Sequence, residues 1–385
     1  MIFNNNNESQ ATVCLYSKAY HGEHRNWQYI GTTMTSLNAL YNYYGSWIYK
    51  WIGGDSRWEA VPNGGTMYAW NGYCITQETP EWYSTSGTLV PTDTEDKTLV
   101  ISAGPTVFAN SWTAPIHIGN FKDEDFDISD KTIYFFNTGY DPDGTGVSGT
   151  APGTYVSVPI NAAVFLDKDS LIPSQQGVFV KSKTDGTITL KYKDLVRTNS
   201  KEIVAGPMRA PRHILRPNVL KIYATGSNFK DRLTILERED FSTEFDNGWD
   251  GEKMSCSEVS PSIYVNSNGT YEVSAIPDYE GAVLGFVGND SVCTFTFSYT
   301  GSDEWYLNDL CEQRSVLISD EANYVLNQMT SNESRFVISK TPIQPSTPTG
   351  LDEVKMSSFK KIVLNNQVYI INNGQIFDII GQRVK

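Results

Sequence analysis

Charge is scarce in this 385-residue chain: Asp, Glu, Lys and Arg make up 19% of it. Long apolar runs are missing altogether. No segment reaches the about 18 consecutive apolar residues that a membrane-crossing helix needs. No C-x-x-C pair occurs, which removes the zinc and dithiol motifs built on that spacing. There is no G-x-S-x-G, no phosphate-binding loop and no Cys beside a convincing His, so the usual signatures of nucleophilic and nucleotide chemistry are absent. The opening MIFNNNNESQ has neither a basic n-region nor an apolar h-region. A strand-like run starts almost at once, at Ala11–Tyr16. The expectation is therefore an exported fragment whose signal peptide was lost with a missing N-terminus.

A net charge of −14 argues against nucleic-acid partners and anionic membranes, because like charges repel. The five cysteines are Cys14, Cys74, Cys256, Cys293 and Cys311. In an oxidising compartment Cys14–Cys74 and one pair among the other three are possible bridges. The alternative is buried free thiols, which pack as small apolar groups.

What the chain does hold is aromatic rings, 12% of its residues, together with abundant Thr, Ser, Val, Tyr and Gly. That bias favours strands and turns. Strand candidates are Trp27–Ile30, Trp47–Trp51, Arg57–Val61, Tyr73–Thr76 and Ser86–Val90. Gly-rich punctuation separates them, as in an all-β sandwich or barrel. The run Trp70-Asn71-Gly72-Tyr73-Cys74-Ile75 is echoed by Gln175-Gln176-Gly177-Val178-Phe179-Val180. Likewise Gly45-Ser46-Trp47-Ile48-Tyr49-Lys50-Trp51 is set against Asn110-Ser111-Trp112-Thr113 and Thr132-Ile133-Tyr134-Phe135-Phe136-Asn137. These echoes read as an internal duplication of one β-module. Further on, Cys293–Tyr299 is the clearest period-2 run.

The expected fold class is all-β, with tandem antiparallel β-sandwiches of jelly-roll or Ig-like type and a short C-terminal hairpin. Residues 1–10 are expected to be a disordered start. Residues 11–200 form a Trp-rich sandwich region of two related halves, 11–95 and 96–200. A connector follows at 201–216, a second sandwich at 217–340, a Pro/Thr linker at 341–353 and a tail at 354–385.

Six of the nine tryptophans fall in the first segment. Sugar rings stack their CH faces on such rings, so Trp47, Trp51, Trp58, Trp82 and Tyr83 are the candidate glycan-binding residues. The competing reading makes the same rings sandwich core, since large aromatics dominate burial. Asp141, Asp143 and Thr145 place oxygens at alternate positions, as at the start of a Ca²⁺ loop. The bidentate Glu expected at the twelfth place is Pro152. Calcium is the one cofactor candidate. His21 and His24 form H-x-x-H without the Glu of a zincin helix and read as loop histidines. The acidic cluster Asp231, Glu237, Glu239, Asp240, Asp246, Asp250 and Glu252 contains carboxylates of the kind that flank glycosidic bonds, but spacing alone does not pair any two.

The tail carries alternating Val368 and Ile370, then Ile376 and Ile379, around Asn373-Gly374, the dipeptide of two-residue hairpin turns. Its pattern runs Lys361-Ile362-Val363, Gln367-Val368-Tyr369-Ile370-Ile371, Asn373-Gly374, Phe377-Asp378 and Gly381-Gln382-Arg383-Val384-Lys385. It resembles the C-terminal ends of secreted Bacteroidetes surface proteins, Prevotella- or Bacteroides-like, and a short form of the type IX secretion sorting domain. It lacks that domain's later strands. Gln367, Tyr369, Asn373, Gly374 and Gly381 are the residues through which the resemblance implies contact with secretion machinery. Segments around Asn110–Ile116 and Leu233–Met254 resemble the same class of surface proteins. Asp169-Ser170-Leu171 and Asp290-Ser291-Val292 resemble the acceptor tripeptide of Bacteroidetes O-glycosylation. The resemblance implies an extracellular or outer-membrane-surface location and names no reaction. The functional expectation is a non-enzymatic adhesion or interaction protein with a glycan or host protein as ligand. The alternatives are a carbohydrate-binding module and the accessory end of a surface hydrolase.

Overall fold

Polar–apolar alternation builds the first strand, β1 (Gln10–Ser17), whose side chains are alternately exposed and half-buried. It is the opening element in a computed structural model that describes residues 9–21, 25–92, 96–137, 154–166, 170–196, 216–227, 230–254, 261–288, 292–343, 360–364, 367–372 and 375–377. Met1–Pro342 forms one compact unit and Ile343–Lys385 another. The expected connector 201–216 lies outside the described residues except for its last, Arg216.

The first copy of the module continues with β2 (Gln28–Ile30), β3 (Ser36–Asn38), β4 (Trp47–Ile52), β5 (Arg57–Ala60), β6 (Thr66–Tyr68), β7 (Tyr73–Thr76) and β8 (Glu81–Thr88). The second holds β9 (Lys97–Ile101), β10 (Gly104–Ala109), β11 (Ile116–His117), β12 (Thr132–Asn137), β13 (Thr154–Pro159), β14 (Leu171–Ile172), β15 (Gly177–Ser182) and β16 (Gly186–Leu190). Their connectivity is the same strand for strand. One four-stranded sheet runs β2-β7-β4-β5 and the other β10-β15-β12-β13. β3 pairs with β6 as β11 pairs with β14, and β1 pairs with β8 as β9 pairs with β16. The second copy adds Phe126–Asp127 beside β16. A four-residue helix, α1 (Ala39–Asn42), follows β3 and is capped by the Asn38 side chain.

The copies meet through reciprocal contacts, as a two-fold relation requires. Tyr29 opposes Cys74 and Ile30 opposes Tyr73; in the second copy Val107 opposes Phe179 and Phe108 opposes Val178. These registers make Gly31 the counterpart of Ala109 and Trp70 the counterpart of Gln175. Gly31 N donates to Gln175 O (2.8 Å), and Ala109 N donates to Trp70 O (3.3 Å). Trp70 and Gln175 both have positive φ, 70° and 65°. The next glycine in each copy is where the other backbone comes close. A Cβ on Gly72 would sit 2.6 Å from Val107 O, and one on Gly177 would sit 2.9 Å from Ile30 N. Between the sheets lies an aromatic seam in which Tyr29, Cys74, Val107, Tyr134 and Phe179 are buried, with Trp51, Trp58, Phe136 and Tyr155 half-buried against them.

The third segment holds β17 (Asn218–Thr225), β18 (Lys230–Glu237), β19 (Gly251–Glu252), β20 (Ser262–Asn266), β21 (Thr270–Ile276), β22 (Val283–Val287), β23 (Cys293–Tyr299), β24 (Tyr306–Asp309), β25 (Arg314–Leu317), β26 (Asn323–Leu326) and β27 (Asn332–Ser339). They form one sheet, ordered β25-β24-β27-β22-β20-β21-β18-β17-β23-β26, with β19 on β21. All its pairings are antiparallel except β18 with β21. The sheet curls round its own core, which includes Leu220, Ile222, Leu233, Ile235, Phe286, Phe295 and Phe336. The intervening residues Val219 and Leu236, with Val273 and Ala275, face the other way. They join the core of the second copy beside Trp112, Ile133 and Val158. These strands are covered on both faces, so the second copy and the third segment share one hydrophobic core.

In the tail, β28 (Lys360–Leu364), β29 (Gln367–Asn372) and β30 (Gln375–Phe377) form an antiparallel three-stranded sheet. The expected hairpin is its second half, with Asn372 opposite Gln375. The strand added in front pairs Val363 with Val368.

Candidate functional site

The five proposed glycan-binding rings end up in different environments. Trp51 and Trp58 face each other across β4 and β5 with centroids 5.1 Å apart. Trp51 Nε1 donates to Pro105 O at 3.0 Å, and Trp58 also packs on Tyr29 at 5.3 Å. Both belong to the seam between the copies. Tyr83 is buried against Tyr43, with its hydroxyl 2.6 Å from Ser46 Oγ. Burial raises its phenol above the usual value. Trp47 is 43% exposed although it shares a face with Trp51, because the neighbouring copy covers only the far end of β4. Trp82 is 67% exposed.

Trp82 has a neighbour that composition did not suggest. In the β1–β8 register it lies opposite Tyr16, and the two rings sit 5.1 Å apart at 45°. The same solvent face carries a row of cross-strand polar pairs. Gln10 Nε2 donates to Thr88 Oγ1 (2.6 Å), Thr12 and Ser86 share a hydroxyl bond (2.7 Å), and Cys14 Sγ lies 3.5 Å from Ser84 Oγ. The face is a polar ribbon ending in an aromatic pair. Hydroxyl and amide groups beside an exposed ring suit a sugar better than an apolar peptide. Tyr16 was legible only as one apolar position of Ala11–Tyr16; pairing with Trp82 is a matter of register.

A second concavity, of about 530 Å³, lies where the second copy meets the third segment, and Asp130, Phe179, Lys181, Phe245, Glu252 and Tyr271 line part of it. Lys181 Nζ pairs with Glu252 and stands 3.6 Å from Asp130 Oδ2, which also accepts from the Tyr134 hydroxyl at 2.8 Å. Burial raises the Asp130 carboxyl, opposed by hydrogen bonds and by the Lys181 charge. With Lys181 between them, Asp130 and Glu252 neutralise a cation and do not stand free on either side of a substrate bond.

Five of the other carboxylates singled out by sequence are also engaged. Asp231 pairs with Lys253, Asp240 with Arg238, and Glu237 accepts from Asn218 (2.8 Å) and Tyr279 N (3.2 Å). Asp246 ties its loop through Ser242. Asp250 is buried and accepts from Ala275 N (2.6 Å) and Asp246 N (2.7 Å). Its carboxyl is pushed up to about 7, chiefly by burial. Asp141, Asp143 and Thr145 lie outside the described residues, as do His24, Asn373, Gly374 and Gly381, while Gln367 and Tyr369 sit in β29. Among the described residues no group of three His, Cys, Asp or Glu side chains is placed to hold a metal, and no helix is long and apolar enough to cross a membrane. Cys14, Cys74, Cys293 and Cys311 are free thiols, so the Cys14–Cys74 bridge is not made. Cys14 faces solvent on β1, whereas Cys74 is buried in the seam, where desolvation pushes its thiol up to about 12.

The chain is similar to the minor fimbrium subunit Mfa5 of Porphyromonas gingivalis, 28% identical over 344 residues, which cover 78% of this chain and 27% of that protein. It therefore spans about a quarter of that relative's length. No protein-family profile matches the chain, and no solved structure does. The relative belongs to the phylum to which the tail and the Asn110–Ile116 and Leu233–Met254 segments point.

Proposed function

We propose that this chain is part of a non-enzymatic cell-surface protein of fimbrial type, whose sandwiches present binding faces outside the cell. The observation that carries the reading is the similarity to a fimbrium subunit along 78% of the chain. The fold agrees with it. Rigid, doubly covered sheets make a stalk-like scaffold, and the acidic residues of the cluster named above, Glu239 apart, are held in ion pairs and hydrogen bonds. The tail would be the address read by secretion machinery. The test is to express the parent gene in its own host with and without Phe359–Lys385 and to shave intact cells with protease. Surface cleavage of the full protein, with filaments labelled by antibody, supports the reading. Full protection of the intact-gene product removes it. Equal exposure of both forms removes the tail's role alone.

The polar ribbon of β1–β8 supports a second, narrower reading, in which this face takes a glycan. Its test is titration of soluble glycans against intrinsic fluorescence. Saturable quenching that Trp82→Ala abolishes and Trp51→Phe retains supports it; quenching indifferent to Trp82 removes it.

A further inference from the structure

A cavity of about 380 Å³ opens where the first copy of the module meets the second. That volume falls in the about 300–1,000 Å³ of small-molecule sites. Its walls are aromatic. Buried Trp112 meets Trp70 edge to face at 5.0 Å and Tyr192 likewise at 5.0 Å. Trp70 and Tyr192 are half-buried, so part of each ring is open to the cavity. The second copy fixes Trp70 in place, since Trp70 N donates to Ser111 Oγ at 2.7 Å and Trp70 O accepts from Ala109 N. Tyr68 and Thr35 add hydroxyls to the lining. The duplication does not account for these rings. Gln175 is the counterpart of Trp70, and the registers that equate Gly31 with Ala109 equate Met34 with Trp112. Met34 and Gln175 are buried, so two tryptophans stand in one of two equivalent places. Among the described residues of the lining, the one cation is Lys97, at the start of β9. Lys97 shares a strand face with the buried Leu99 and Ile101 and lies opposite Leu190, so its side chain is turned towards the cavity. Among the described residues its ammonium has no ion-pair partner, and no Asp or Glu lines the cavity. The chain as a whole has 44 acidic residues against 30 Lys and Arg, so this local absence of negative charge runs against its composition. A second hollow, of about 470 Å³, shares Ala69, Trp70 and Lys97 with the first, and again no described Asp or Glu lines it. Lys50 borders it, and Glu59, opposite Lys50 in register, is paired with Arg57 at 2.9 Å.

We propose that this cavity binds a sugar ring that carries a carboxylate, with the ring against Trp70 and Tyr192 and the carboxylate on Lys97.

A sugar ring has apolar CH faces and a belt of hydroxyls. The faces gain from burial against indole and phenol rings, and the hydroxyls of Tyr68 and Thr35 are there to bond the belt. A neutral sugar would gain nothing from Lys97. A carboxylate gains a charge-assisted hydrogen bond, roughly twice as strong as a neutral one. A basic ligand would meet Lys97 as a like charge, and an apolar acid would leave the lining hydroxyls unused. The absence of carboxylates from the described lining lets an anion approach a chain whose net charge otherwise repels it. The adjoining hollow, with Lys50 beside it, continues the site towards the next sugar of a chain. This cavity is separate from the β1–β8 ribbon, since none of its lining residues lies on either strand. Failure of one site leaves the other standing.

The experiment is titration of the purified full chain with N-acetylneuraminic acid and with glucuronic acid, read by ligand-observed NMR. Saturable binding is expected, and the methyl ester of each acid should bind at least about tenfold more weakly, the worth of one hydrogen bond to a charged group. Binding of one acid alone supports the proposal and names the acid. Lys97→Met, at an exposed position, should bring the acid down to the level of its ester. Tyr68→Ala should weaken acid and ester alike, and Trp82→Ala should bind both as the parent does. No saturable binding of either acid overturns the proposal. So does equal affinity for acid and ester, a comparison that needs no variant to fold. Unchanged binding in Lys97→Met, or loss of binding in Trp82→Ala, overturns the placement in this cavity. Benzoate competing as well as the acids overturns the sugar class.

Discussion

Replacing Gly31 with Ala tests the reciprocal packing of the two copies. A Cβ built on Gly31 lies 2.1 Å from Ala109 Cβ, far inside the about 3.5–4.0 Å at which carbon atoms rest. Relief by a rotamer change is impossible, because both groups are Cβ atoms on backbones bonded across the seam, Gly31 N to Gln175 O and Ala109 N to Trp70 O. Gly31→Ala should therefore destabilise by about 1–3 kcal/mol, the usual cost of overpacking. Ala109→Gly alone should cost roughly 1 kcal/mol, from one lost methyl and the added backbone freedom. Since the registers make these residues counterparts, the double variant moves the methyl to the other side of the same gap. Its stability should return to within about 1 kcal/mol of the parent, a coupling in the range seen for residues in contact. Urea unfolding followed by tryptophan emission measures all four corners of the cycle. Gly54→Ala, which meets no atom within 4 Å, is the control. If the two single costs simply add, the reciprocal seam is wrong.

Two further outcomes follow from buried charge. Asp250 has its carboxyl raised to about 7 in the fold, against about 3.9 unfolded. The folded state holds more protons between these values, so stability should fall as pH rises from about 4 to about 7 and then level off. The loss from this group is at most about 4 kcal/mol. Asp130 and Glu272, also raised by burial, add the same sign. Melting temperatures from pH 5 to 8 should show a shallower slope in Asp250→Asn; an unchanged slope refutes the assignment. Arg335 is fully buried and meets Asp309 Oδ2 at 3.0 Å through Nη2, with Glu312 at 3.3 Å. Arg335→Met removes the charged partner of buried Asp309, while Glu312 keeps Arg314 at 2.7 Å, and should cost about 3–5 kcal/mol in urea unfolding. A cost under 1 kcal/mol would show that Asp309 finds another partner.

Gly-rich punctuation and, in Cys293–Tyr299, period-2 patterning made several strands legible. The sequence places strands at Tyr73–Thr76 and Cys293–Tyr299, where the structure has β7 and β23. It also reads the two Gly-centred runs as echoes of each other, and both contribute to the inter-copy contacts. Side-chain alternation and turn residues act over a few neighbours, so these features survive reading one residue at a time. The fate of the tryptophans did not survive it. Trp47 and Trp51 share a face of β4, yet one looks out and the other packs on Trp58, because the second copy reaches only part of that strand.

By itself, then, the sequence determined the all-β class and strands such as Tyr73–Thr76 and Cys293–Tyr299, which follow from side-chain pattern, turn residues and backbone preference. Tertiary structure alone decided that Tyr16 joins Trp82, that the second copy and the third segment share a core, and that Asp231 pairs with Lys253. Each of these joins residues far apart in the chain. Strand register and sheet order set such pairings, and no local pattern encodes them.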